Sequence, residues 1–198
     1  MSLHIVTPPL PGDTPVLVPE AKQFLRVSGS DFDREIHNMI LAVNAWLVGP
    51  TGWLGRSLVQ QTLELRLAGF PHGLAHWIAL PRPPLIAVES VKYDDPDGVE
   101  QTLSPDAYRI TEGDDGLPYL MMKRGQPWPA CLCDVDSVRI RYTAGYGKNG
   151  WHVDEGIRHA ILMTVARLFQ CHGDGLTADF REDRFVQSLF APYRVWTP

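Results

Sequence analysis

Cysteine is scarce, with three residues in a chain of 198. An odd number argues against a disulfide framework, and the opening residues Met1-Ser-Leu-His-Ile5 lack the basic-then-apolar layout of an export signal, so reduced thiols are expected. No uninterrupted apolar stretch approaches the ~20 residues that a membrane helix needs. Excess positive charge is missing as well. Lysine and arginine number 18 against 23 acidic residues, a net charge of -5, which excludes an overall field drawing the chain onto phosphate backbones or anionic lipid. Internal repeats and low-complexity tracts are absent. The expectation from these absences is a chain that stays in the cytoplasm that makes it, outside any membrane, with no sequence-independent grip on DNA.

What is present suits a packed core, since hydrophobic residues make up 44% and charged residues 21%. The first 19 residues are rich in proline and read as an extended arm. Pro19 suits the first position of a short helix over Glu20 to Val27, where its missing N–H costs nothing. A second helix is expected from Ser30, with Ser30 as its cap and Asp31 and Asp33 at the positive end of its dipole. Phe32, Ile36, Met39, Ile40, Val43 and Leu47 would form one buried stripe, ending at Gly49-Pro50. From Val59 the period changes to two: Leu63, Leu65 and Leu67 alternate with Glu64, Arg66 and Ala68. Further strands are predicted at Trp77 to Leu80, Leu85 to Tyr93, Val99 to Leu103, Tyr108 to Thr111, Leu117 to Met122 and Ser137 to Thr143. Asp95-Pro96-Asp97-Gly98 is a hairpin turn by composition. Behind Asp154 and Glu155 a third helix carries Ile157, Ala160, Ile161, Val165, Leu168 and Phe169, and Gly173 and Gly175 would end it.

The fold class expected is α+β: a small helical bundle built from both chain ends, with an antiparallel β unit inserted between the second and third helices. The boundaries expected are an arm and helices over 1–58, the inserted β unit over 59–150, and the third helix with a C-terminal tail over 151–198.

Candidate chemistry is sparse. Gly145-Tyr-Gly147-Lys-Asn-Gly150 fits the spacing of a dinucleotide loop, but the helix starts only behind Asp154-Glu155 and no strand follows it, so a plain linker is the better reading. Cys131-Leu-Cys133, with Cys171-His172 far along the chain, lacks the spacing of a zinc clamp. Asp94, Asp95, Asp97, Asp114 and Asp115 are turn residues by position. His159 and His172 read as surface or partner-facing. No catalytic residue, cofactor site or metal site is therefore expected. Trp128, locked between Pro127 and Pro129, is either a core plug or a partner anchor, and the core is favoured. The segment from Phe185 to Trp196 is dense in aromatics at a chain end, where disorder is ordinarily found, so some surface must receive it.

A set of short segments in fixed order points further. Val18-Pro-Glu-Ala-Lys-Gln-Phe-Leu-Arg-Val27, Gln61-Thr-Leu-Glu-Leu-Arg-Leu67, Leu80-Pro-Arg-Pro-Pro-Leu85, Val91-Lys-Tyr93, Asp97-Gly98, Trp128-Pro129, Val138-Arg-Ile-Arg-Tyr-Thr-Ala-Gly-Tyr-Gly147, Ile157-Arg-His-Ala-Ile161 and Ala191-Pro-Tyr-Arg194 together resemble the head-tail connector, or adaptor, proteins of long-tailed phages, prophages and gene transfer agents. The resemblance spans nearly the whole chain. It implies a structural protein of the virion head-tail junction, made in a bacterial host cytoplasm. Subunits would self-associate into a ring, usually dodecameric, between the portal protein and a head-completion (stopper) or tail protein, and DNA would pass through without specific binding. It also implies that the C-terminal segment docks on the portal, through Phe185, Leu189, Phe190, Tyr193, Arg194 and Trp196. On this expectation the tail can leave its parent domain, and truncation after Asp183 would spare the monomer. Two other classes compete: a β-rich module binding a protein or carbohydrate, which leaves the helices at both ends unexplained, and a small cytosolic enzyme, which lacks a constellation.

Overall fold

A computed structural model describes residues 1–10, 12–49, 52–72, 76–173 and 180–196. The chain divides into two compact units. One comprises Met1–Pro9 with Gln60–Gly145, and the other Leu10–Val59 with Tyr146–Trp196.

The first unit is all β. Strands β1 (Ser2–Thr7), β2 (Gln61–Leu67), β3 (Trp77–Ala79), β4 (Leu85–Asp94), β5 (Glu100–Thr102), β6 (Tyr108–Glu112), β7 (Pro118–Met122) and β8 (Val138–Ala144) form two sheets. Their orders are β1-β2-β8-β4-β5 and β3-β7-β6, and every pairing is antiparallel. The alternation read from Leu63, Leu65, Val138, Ile140 and Tyr142 has its physical outcome here. These side chains are buried together with Ile78, Tyr108 and Leu120 of the second sheet, so the two sheets share one apolar core. Burial pushes the Tyr142 phenol well above its ordinary range, and its hydroxyl donates to the Pro81 carbonyl at 2.7 Å.

The opposite face of β2, β8 and β4 is charged, and its charges are paired. Glu64, itself almost fully buried, accepts from Arg66 at 2.8 Å and from Arg141 at 2.7 Å. Arg139 forks onto Asp94 at 3.0 and 2.6 Å and reaches Glu100 at 3.0 Å, while Lys92 meets Glu100 at 2.8 Å. Burial pulls the Glu64 carboxyl upward, but the hydrogen bonds from Arg141 and Arg66 outweigh it and hold the group below its ordinary value.

The second unit is helical: α1 (Val18–Leu25), α2 (Asp33–Val48), α3 (Glu155–Gly173) and α4 (Arg184–Phe190). Ile36, Ile40, Val43 and Leu47 of α2 are buried against Ile157, Ile161 and Val165 of α3, with Ala21 of α1 and Val186 and Phe190 of α4. The core therefore needs residues from both ends of the chain, as the two separate helical stripes require.

Several details differ from expectation, among them α1, which spans Val18–Leu25 rather than Glu20 to Val27. Helix α2 starts at Asp33 rather than Ser30, without a side-chain cap. Phe32, expected in the buried stripe, is exposed and lies edge-on to Phe169 at 5.4 Å. The first residues are not an arm of the helical unit: Ser2–Thr7 pair with β2, because Ile5, Val6 and Thr7 are β-branched and a sheet edge is open to them. The aromatic tail contains a helix, α4, whose cap is Asp183, with Oδ1 accepting from the Phe185 amide at 2.9 Å. Of the expected end of α3, Gly175 lies outside the described residues, as do Pro50 and most of the charged linker from Asp174 to Asp183.

Glu64→Gln removes the charge that organises Arg66 and Arg141. Because both arginines are partly exposed, the expected cost is about 1–2 kcal/mol at neutral pH, measured by chemical unfolding. A carboxylate with a lowered folded-state pKa contributes stability above its ordinary value near 4.5 and loses it as pH falls further. The difference between wild type and variant should therefore shrink below that pH.

Candidate docking surface of the helical unit

The tail is held by its own unit at several points. Val186 and Phe190 project from one face of α4, and Phe190 is 0% exposed. Trp46 makes edge contacts with Phe190 at 5.8 Å and Phe180 at 5.6 Å, and lies 5.5 Å from Trp53. Asp183 pairs with Arg167 at 2.5 Å. Beyond α4 the chain makes a 3-10 turn over Ala191–Tyr193, and then two backbone clasps follow. Arg56 Nε donates to the Tyr193 carbonyl at 2.6 Å, and the Val195 amide donates to the Leu54 carbonyl at 2.9 Å. Gly55 is required there: its φ of +64° is left-handed, and a Cβ would run into the Val195 carbonyl. Burial, with help from the neighbouring Asp154 carboxylate, pushes the Tyr193 hydroxyl above its usual range.

In the structure the tail is packed on its own unit. Among the six residues expected to dock, Phe190 is buried in the helical core with its ring against Trp46. Leu189 and Tyr193 are half-buried against the same core. Phe185 and Trp196 are exposed, and Arg194 is half-buried among aromatic rings. Trp196 is 71% exposed, and the Arg194 guanidinium is sandwiched between it and Trp53, 3.6 Å and 4.4 Å from the ring centroids. The guanidinium of Arg194 thus lies over two aromatic rings, and cation–π contacts strengthen where water is kept from the charged group.

A second exposed aromatic of the helical unit escaped sequence reading. Trp151 stands over Arg158, 4.7 Å from its guanidinium, at the edge of a cleft of about 230 Å³ that Leu17 and Glu20 also line. Arg158 is buried and fully engaged, with Glu20 at 2.6 Å and the Pro15 carbonyl at 3.1 Å. The signal was a tryptophan directly after the glycine-rich linker, which the search for a phosphate loop passed over. Trp53 and Arg56, which receive the tail, gave no signal beyond lying just past α2.

The remaining candidates separate. Trp128 stacks on Phe70, with centroids 4.8 Å apart and planes inclined by 13°, so it packs against the β core rather than standing free. Its indole Nε1 is buried with no hydrogen-bond partner. Cys131 and Cys133 lie in the β unit and Cys171 in the helical unit. Among the described residues no three histidine, cysteine or acidic side chains converge on a point. Gly145 to Gly150 joins β8 to α3 through a 3-10 turn, with no parallel strand beside it. Asp94 is committed to Arg139. Asp95 caps its own hairpin, accepting from the Asp97 and Val99 amides, both at 3.0 Å, and Asp115 accepts from the Leu117 amide at 3.1 Å and from the Tyr119 hydroxyl. His159 is exposed, edge-on to Phe24, and the side chain of His172 lies outside the described residues.

No protein-family model matches the chain, and no curated protein is similar to it. Solved structures are. A chain of the virion of a native gene transfer agent particle superposes with a TM-score of 0.74 at 22% identity, covering 100% of this chain and 97% of that one. A chain from the neck of an empty gene transfer agent particle, computed with C6 symmetry, gives 0.73 at 21%, and one from the neck of a native particle, computed with C12 symmetry, gives 0.67 at 21%, with the same coverage of both chains. Both units, their order and the insertion of one in the other thus belong to a fold found in those particles.

The tail geometry separates two classes of substitution. Phe190→Ala should destabilise the helical unit by about 3–5 kcal/mol, whereas Trp196→Ala, which loses an exposed ring and one cation–π contact, should cost at most about 1 kcal/mol. Thermal unfolding of the two variants checks this.

Proposed function

We propose that the protein is a head-tail connector of a phage-like particle. It would be a structural subunit that forms a ring in the particle neck, between a portal and the next head-completion or tail protein. The observation that carries the reading is the likeness over the whole length of both chains to proteins of gene transfer agent virions and necks. The 12-fold and 6-fold symmetries of those necks suit a ring of identical subunits, in which two different patches per subunit meet head to tail and close. The portal would supply the symmetry that selects closure over open filaments.

The role requires interface geometry and no catalysis. Asp94 is engaged in an ion pair and Asp95 and Asp115 in their own turns, which supports a non-enzymatic reading. An acidic chain with Arg66, Arg139 and Arg141 already paired gives passing DNA little to hold. Portal docking would use the outward part of the tail, Phe185, Arg194 and Trp196, on a platform fixed by Phe190, Val195 and Arg56. An aromatic and an arginine on a rigid base are the residue types that dominate interface energetics.

Light scattering and electron microscopy should show monomers or small oligomers in dilute solution, and rings at high concentration or on the portal encoded in the same genome. A chain that stays monomeric and ignores that portal under all conditions overturns the connector reading. Trp196→Ala combined with Phe185→Ala should weaken portal binding at least tenfold while changing monomer stability little. Unchanged binding would remove the tail from the interface.

A further inference from the structure

The five-stranded sheet is incomplete at one place and overhangs at another. Strand β5 follows β4 only over Lys92–Asp94, and the Leu103 amide then donates to the Val91 carbonyl before the chain leaves. Residues Leu85–Ser90, the first six of β4, therefore pair with β8 on one side and with no described strand on the other. Ile86 in this stretch is 46% exposed. At the far edge of the same sheet, β1 pairs with β2 on one side only. It too has six residues, Ser2–Thr7, with no charged side chain and no proline, and Ile5 and Val6 are 46% and 41% exposed.

Such an edge is the kind natural proteins guard against, because its free N–H and C=O groups template another strand. The short, charged edge of β5, with Glu100, is guarded in the usual way; β1 is not, and Pro8-Pro9 limits only its length.

The direction of the strands decides how two copies can meet. Going from β1 through β2 and β8 to β4, every step is antiparallel, so β4 runs opposite to β1. A second copy placed beside the first in the same orientation, as rotation about a ring axis places it, brings its β1 alongside β4 in the antiparallel sense. That strand would lie end to end with β5 and fill the vacant position. Bulges at Ile86 and Glu89 interrupt this half of β4, which suits a short donor better than a long one.

We propose that β1 of each subunit completes the sheet of its neighbour by pairing with Leu85–Ser90, and that this exchange of edges is a contact that closes the ring. The occupant of the vacant edge is a second copy of this chain. The contact is heterologous, joining two different edges, as closure by rotation demands. A strand of six residues is about 20 Å long and buries on the order of 500 Å², well under the roughly 1,200 Å² of a stable pair. Two copies alone would come apart, and the joint becomes lasting only when many close together. The inference rests on the ring reading above.

Hydrogen exchange on the full chain, as dilute monomer and as ring, tests it without assuming a register. The amides of residues 2–7 and 85–90 should both exchange at least tenfold more slowly in the ring. Rings in which neither segment gains protection overturn the exchange of edges but leave the ring reading standing. Protection of residues 2–7 alone would mean that β1 pairs with another β1, and also overturns it. If no ring forms under any condition, the ring reading fails and the proposal falls with it. As an independent check, Ile5→Lys with Val6→Lys should leave the monomer folded and abolish ring formation. Normal rings from this variant would contradict the proposal.

Discussion

The pairing of β2 with β8 is the constraint on which the architecture depends. Residues 61–67 and 138–144 lie in register, Gln61 opposite Ala144, so the inserted β unit begins and ends on neighbouring strands. Just beyond them the Tyr146 amide donates to the Leu58 carbonyl at 3.0 Å. The chain thus leaves the helical unit and returns to it at one place. Within the helical unit α2 and α3, more than a hundred residues apart in sequence, present their stripes to each other and form one core. The same pair carries the buried Glu64 ion cluster on one face and Leu63, Leu65, Ile140 and Tyr142 on the other.

A similar economy governs the tail. A terminal segment pays a large ordering cost unless it is tied down. Phe190 and Val186 tie it by burial, and Arg56 and Leu54 by accepting or donating backbone hydrogen bonds. What projects from that base is a short, stiff group of Arg194 and Trp196. A preorganised group of this kind loses less freedom on meeting a partner than a free aromatic tail would.

Much of this was legible in the sequence. Seven of the strands were located, β2 and β8 by period-two alternation with one face buried, and the Asp95-Pro96-Asp97-Gly98 turn marked the β4–β5 hairpin. The stripes of α2 and α3 named the residues of the helical core. What stayed hidden depends on distant partners. Ser2–Thr7 has strand character, but the edge it joins is formed sixty residues later, and Pro8-Pro9 made an arm the nearer reading. The tail advertised its aromatics but not their destination. Val186, Leu189 and Phe190 have helical spacing, yet their burial depends on Trp46, Leu54 and α3. Phe190, expected on a docking surface, is accordingly found buried in the core. Trp151 was overlooked because its signal lies in exposure, which no pattern within the linker records.

We propose above that this two-unit fold serves as a ring subunit on a portal. Native mass spectrometry of the full chain mixed with the portal protein encoded in the same genome tests it most directly. The account predicts one portal ring carrying twelve copies of this chain, with few partly filled states, because closure is cooperative. A portal that remains bare, or that gathers a broad, non-saturating range of copies, would contradict it.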